Sequence, residues 1–118
     1  MALTIAAARA GGGQGIVFAD TVHDFGTVEA RLGEITAYFE FQNCSDSTMM
    51  ILGAMTQCGC MVPQYPHEPI APGQRGTVRV TYRIITQPPG PFEKRIVLRT
   101  THGADPIIRL YVKGNSTR

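Results

Sequence analysis

Ile35-Thr36-Ala37-Tyr38-Phe39-Glu40-Phe41-Gln42-Asn43 is the stretch on which the fold turns. Ile35, Ala37, Phe39 and Phe41 alternate with Thr36, Tyr38, Glu40 and Gln42. A period of two residues puts one set on a buried face and the other on a solvated one, as a half-buried strand requires. The same alternation recurs in Val78, Val80 and Tyr82 against Thr77, Arg79, Thr81 and Arg83. It returns in Phe92, Ile96 and Leu98 against Glu93, Arg95, Val97 and Arg99, and in Ile108, Leu110 and Val112 against Arg109, Tyr111 and Lys113. Weaker strands are read at Ile16 to Phe18, Thr21 to Phe25, Met49 to Met55 and Cys60 to Val62. No segment sustains a helical period.

Turn residues stand between these runs: Asn43 to Ser47, Ala71-Pro72-Gly73-Gln74, Gln87-Pro88-Pro89-Gly90-Pro91 and His102-Gly103-Ala104-Asp105-Pro106. The 118 residues include 13 Gly and 8 Pro, which suits many short elements rather than long helices. At this length a single domain buries roughly two-thirds of its unfolded surface and needs no staple of cysteines. The expectation is an all-β, immunoglobulin-like antiparallel β-sandwich of about seven strands. The domain is read over residues 16–114, with residues 1–15 a flexible tail or signal-peptide remnant and residues 115–118 a C-terminal tail.

Charge is distributed unevenly. Residues 1–68 hold seven acids and two bases, and residues 69–118 hold two acids and nine bases, for a net charge of +2. That net value is too small to imply nucleic acid, and none is expected as a partner. Strand parity places Arg79, Arg83, Arg95, Arg99, Arg109 and Lys113 on polar faces. If their strands are neighbours, the six form one basic face that would hold an acidic protein partner; otherwise they solvate the sheet and pair with acids across strands.

Gln57-Cys58-Gly59-Cys60-Met61 is the most unusual local feature, with a third thiol at Cys44. Three readings stand side by side. Cys58 and Cys60 form a C-x-C disulfide that Gly59 permits, or Cys44 pairs with one of them, as structural cysteines. Cys58 and Cys60, with Met61, His67 or Cys44, bind copper or zinc. The pair is redox-active. The metal reading lacks the paired knuckles of a structural zinc site, and methionines more often fill a core than bind an ion.

Catalysis has little to stand on. The carboxylates are scattered singly, no Gly-rich loop joins a strand to a helix, and Ser45, Ser47 and Ser116 lack a G-x-S-x-G context. The chain is read as no enzyme, with no cofactor. Met1 to Ala10 is a short apolar run ending Ala8-Arg9-Ala10, which resembles the end of a secretory signal. It falls short of the about 20 apolar residues that span a bilayer, and no other stretch does better.

His23-Asp24-Phe25-Gly26-Thr27, Phe39-Glu40-Phe41-Gln42-Asn43, Cys58-Gly59-Cys60, Pro69-Ile70-Ala71-Pro72-Gly73, Val78-Arg79-Val80-Thr81-Tyr82, Gly90-Pro91-Phe92-Glu93-Lys94 and Leu110-Tyr111-Val112-Lys113-Gly114 occur in one order along residues 16–114. In this the chain resembles the DUF1573 family. The resemblance implies a sandwich akin to the ASH and major-sperm-protein domains, in exported or lipid-anchored proteins of Bacteroidota and relatives. It implies no activity, and such domains serve as interaction modules. Met61 stands where the family usually has Thr, and Cys44 where a small polar residue is usual. Asp20-Thr21-Val22 and Asp46-Ser47-Thr48 resemble the O-glycosylation pattern of exported proteins in that group. The expected role is a non-catalytic interaction or structural module of the cell envelope, periplasmic, outer-membrane-associated or secreted, within a larger assembly. The alternative is a periplasmic copper- or zinc-binding domain built on the Cys58-Gly59-Cys60 turn.

Overall fold

Among the described residues eight strands form because eight short runs can each turn one face inward, and they do so in two four-stranded sheets. The structure is a computed structural model that describes residues 15–101 and 106–117. Residues 1–14 of the expected tail or signal remnant, and His102 to Asp105 of the last turn, lie outside the described residues. The strands are β1 (Ile16–Phe18), β2 (Val22–Glu29), β3 (Ile35–Asn43), β4 (Ile51–Thr56), β5 (Met61–Gln64), β6 (Arg75–Tyr82), β7 (Gly90–Thr100) and β8 (Ile107–Thr117). One sheet has the order β1-β3-β6-β5 and the other β2-β8-β7-β4. This is an immunoglobulin-like sandwich.

Two details depart from the expectation. β2 runs parallel to β8, so its sheet is mixed rather than wholly antiparallel. A hairpin forces antiparallel pairing, but these two strands lie at opposite ends of the chain and no hairpin links them. Residues 115–117, expected in a tail, instead extend β8: Asn115, Ser116 and Thr117 pair with Thr27, Val28 and Glu29 of β2.

The core is the set of inward side chains. β3 and β6 contribute Ala37, Phe39, Phe41, Val78, Val80 and Tyr82; β7 and β8 contribute Ile96, Leu98, Leu110 and Val112, and all are buried. An aromatic series links the sheets, with Tyr82 and Phe92 ring centroids 4.8 Å apart, Phe92 and Phe25 6.5 Å apart, and Phe25 and His23 4.5 Å apart.

The motifs that carried the resemblance are architectural. In His23-Asp24-Phe25-Gly26, His23 and Phe25 join the aromatic series while Asp24 Oδ1 accepts from Gly26 N at 2.8 Å. Gly26 takes a φ of +70°, which only glycine adopts freely. Its carbonyl then lies against Gly114, where an added Cβ would sit 2.9 Å from Gly26 O. In Pro69-Ile70-Ala71-Pro72-Gly73, Ile70 is buried and forms a bridge with Met49, while Gly73 N donates to Asn43 O at 2.8 Å.

Candidate interaction surface

Cys58 and Cys60 are joined in a disulfide with their Cα atoms 5.2 Å apart. They sit at the corner where the chain leaves β4 in one sheet and enters β5 in the other. The corner is tied to both sheets. Arg83 N donates to Cys60 O at 2.7 Å beyond the end of β6, and Arg95 N on β7 donates to Gln57 Oε1 at 2.6 Å. The pair thus lies within a sheet-switching turn.

The metal alternative does not assemble. Met61 is buried in the core, and the ring of His67 lies 4.7 Å from that of Tyr65. Among the described residues no three His, Cys, Asp or Glu side chains converge on a point. Cys44 is a free, half-buried thiol whose Sγ donates to Gln42 O at 3.6 Å, and burial pushes its pKa up. A raised pKa keeps it protonated and weakly nucleophilic at neutral pH. Thiol counting by alkylation without reductant should therefore show one reactive cysteine, labelled slowly in the folded protein and fast in urea, and three after reduction. Two or more labelled without reductant would exclude the disulfide. Replacing Cys58 and Cys60 with serine should cost no more than about 2 kcal/mol in urea unfolding, since so short a loop has little entropy to lose.

The six basic residues do not share one face. β6 and β7 follow one another in sequence yet belong to opposite sheets. A 3-10 turn at Ile84–Thr86, with Ile84 buried, carries the chain across the edge of the sandwich. Arg79 and Arg83 are thereby separated from the others, and both are engaged. Arg79 hydrogen-bonds Gln64 on the neighbouring β5, and Arg83 Nε lies 3.9 Å from Glu34 Oε2.

Arg95, Arg99, Arg109 and Lys113 do share the outer face of the second sheet. Lys113 stands between Asp24 of β2 and Glu93 of β7 in the register, so its charge is locally offset. The three arginines have no ion-pair partner among the described residues. Apolar groups surround them: Arg95 pairs with Tyr111, Arg109 with Val97, and Arg99 with Ile107, while Val97 pairs on its other side with Met55 of β4. Gly53, Ala54, Met55, Val97, Arg99 and Ile107 line a concavity of about 410 Å³ on this face. A larger hollow of about 490 Å³ at the other end is bordered by Asp24, Glu93 and Lys113, two acids against one base.

Sequence parity found the arginines but not Met55, a residue type that more often fills a core. Register shifts between Ile51 and Gly53 at a bulge. Ile51 is buried above that shift, whereas Met55 below it is 71% exposed. No local sequence signal marks the bulge apart from Gly53 itself.

Residues 16–116 match the family described as "Protein of unknown function (DUF1573)". No curated protein matches the sequence. Among solved structures, a protein of unknown function from Porphyromonas gingivalis W83 is similar with a TM-score of 0.73 and 16% identity, over 87% of this chain and 48% of that one. The chain thus spans about half the length of that relative. The ASH/PapD-like domain 7 of human CEP192 is similar at a TM-score of 0.64 and 11% identity, over 90% of this chain and 87% of that one. The periplasmic chaperone SfaE follows at 0.59 and 12%, over 86% and 56% of the two chains. At these identities the likeness is one of fold.

Proposed function

We propose that this chain, which belongs to the DUF1573 family of proteins of unknown function, is a non-catalytic protein-interaction module of the bacterial cell envelope. One observation carries the reading: three arginines without an ion-pair partner among the described residues, interleaved with apolar side chains on the outer face of the β2-β8-β7-β4 sheet. Charge alone is what solvates a sheet; charge alternating with Val97, Met55, Ile107 and Tyr111 is the composition of a surface that is covered. Arginine and aromatic residues are also the types that anchor interfaces. The envelope setting is supported by the Cys58–Cys60 disulfide, which persists in oxidising compartments, and by the signal-like run before Gly11. A periplasmic chaperone among the similar folds is in keeping with it.

The test is site-specific photo-crosslinking in the native host, with benzoylphenylalanine in place of Tyr111 and, as a control on the other sheet, in place of Tyr38. A discrete protein adduct at position 111, lost when Arg95 and Arg109 are changed to Glu, is the expected result. These surface changes should move stability by no more than about 0.5 kcal/mol, so loss of the adduct would report the surface and not unfolding. No adduct at position 111, or one indifferent to the charge reversals, would overturn the reading. Alkaline phosphatase fused to the chain should be active, as export requires.

A further inference from the structure

We infer that the free edge of β4 takes an added strand from a partner polypeptide, one that carries a carboxylate and an aliphatic side chain two residues apart. The inference rests on the interaction-module reading and names its ligand.

Each sheet has two edges, and three of these four edges are guarded. β1 is three residues long. β5 is four residues long and contains Pro63, which has no N–H to offer a new strand. β2 is interrupted by the irregularity between Asp24 and Thr27 and carries Asp24 and Glu29. Short length, proline, bulges and charge are the devices by which proteins refuse edge-to-edge pairing. β4 reads Ile51-Leu52-Gly53-Ala54-Met55-Thr56, without charge or proline, and its only irregularity comes before Gly53. From Gly53 to Thr56 it is regular, paired to β7 on one side and to no strand among the described residues on the other. Leu52, just before this run, is 48% exposed, and Met55, within it, is 71% exposed.

The face beside the edge specifies the chemistry. Arg99 is the register partner of Gly53, and its Nη2 comes within 4.0 Å of where a Cβ on Gly53 would stand. At that distance the guanidinium lies over β4 in van der Waals reach of position 53. Arg99 thus reaches over β4, the edge strand, with no ion-pair partner among the described residues. Met55 stands two residues further along the same face, beside Val97 and the 410 Å³ concavity. An incoming strand repeats its side chains every two residues, about 6.8 Å apart, and so presents one to Arg99 and the next to Met55. The first is best a carboxylate and the second aliphatic. Main-chain pairing supplies affinity and the two positions supply selectivity.

Two other occupants fit less well. A second copy would bring two arginine-bearing edges together. Residues 1–14 of the chain itself contain Arg9 and no acid, so they lack the complementary charge.

The probe is a fluorescein-labelled peptide repeating Glu-Thr-Val-Thr, which sets a glutamate and a valine two residues apart on one strand face, titrated with the full chain and read by anisotropy. Saturable binding is expected, weakened about tenfold by Arg99→Glu or by replacing each glutamate of the peptide with lysine. N-methylation of alternate peptide nitrogens on the pairing side should abolish it. Met55→Lys, at an exposed position, should weaken binding with the circular dichroism unchanged. No saturable binding, binding indifferent to Arg99→Glu, or equal binding of the N-methylated peptide would overturn the inference. So would a concentration-dependent dimer lost in Met55→Lys, which would give the edge to a second copy. If the peptide fails while the adduct at position 111 persists, the module stands and only the β4 assignment falls; if both fail, both fall.

Discussion

Asn43→Leu should lower the free energy of unfolding by about 3–5 kcal/mol in urea denaturation, although the substitution replaces a small polar residue with one of the best core formers. Asn43 is 1% exposed and uses its whole side chain. Nδ2 donates to Ser47 O and to Ile70 O, each at 2.8 Å, and Oδ1 accepts from Ser45 N at 3.0 Å and Ser45 Oγ at 2.7 Å. One amide thus ties the turn after β3 to the segment that leads into β6. Its backbone completes the join, with Asn43 N donating to Gln74 O at 2.9 Å. Leucine would leave the Ser45 amide without an acceptor, at a cost of about 1–3 kcal/mol if it stays buried, and would take one of two donors from each carbonyl, at about 0.5–1.5 kcal/mol apiece, since Ile70 O keeps Met49 N and Ser47 O keeps Ser45 Oγ. Asn43→Asp should fare no better, because it sets a carboxylate oxygen against the carbonyls of Ser47 and Ile70. A loss below about 1 kcal/mol with an unchanged m-value would mean that water replaces the amide.

Asn43 also shows what was legible in the sequence and what was not. It stood there as the end of a strand and the first residue of a turn, with no sign of its core bonds, because a side chain's hydrogen-bond partners 27 residues away leave no local trace. The strands around it were legible for the opposite reason. Ala37, Phe39 and Phe41 face one core, so burial imprints a period of two on β3, and the same holds for β6, β7 and β8. Sheet membership does not imprint a period. Arg79 and Arg95 look alike along the chain, yet the crossing at Ile84–Thr86 puts them on opposite sides of the sandwich. Basic residues could thus be assigned to outer faces one at a time, while the surface they form depended on strand order. The Cys58–Cys60 bond was one of several open pairings because three cysteines in a short chain permit more than one, and the corner between β4 and β5 is what brings these two together.

Phe41→Ala and Gly76→Ala should each destabilise the protein, and together they should cost less than the first alone. Phe41 and Gly76 are register partners across β3 and β6. A Cβ on Gly76 would run into Phe41 Cζ and stand 3.0 Å from Cε1 and 3.1 Å from Cε2, so the ring lies flat over the glycine. The ring is fully buried and packs against Phe18 with centroids 5.3 Å apart. Phe41→Ala removes that contact and opens a cavity, for about 3–5 kcal/mol. Gly76→Ala forces the ring off its seat, for about 1–3 kcal/mol. With the ring gone, the new methyl meets no clash and fills part of the void. The ordinary preference for alanine over glycine within a strand, about 0.5–1 kcal/mol, then applies. Gly76→Ala should therefore change sign between the two backgrounds, a coupling of roughly 2–3 kcal/mol that a double-mutant cycle in urea would read directly. Additivity within about 0.5 kcal/mol would mean that the ring and the glycine do not depend on each other, and that Gly76 is tolerated in β6 for its backbone alone.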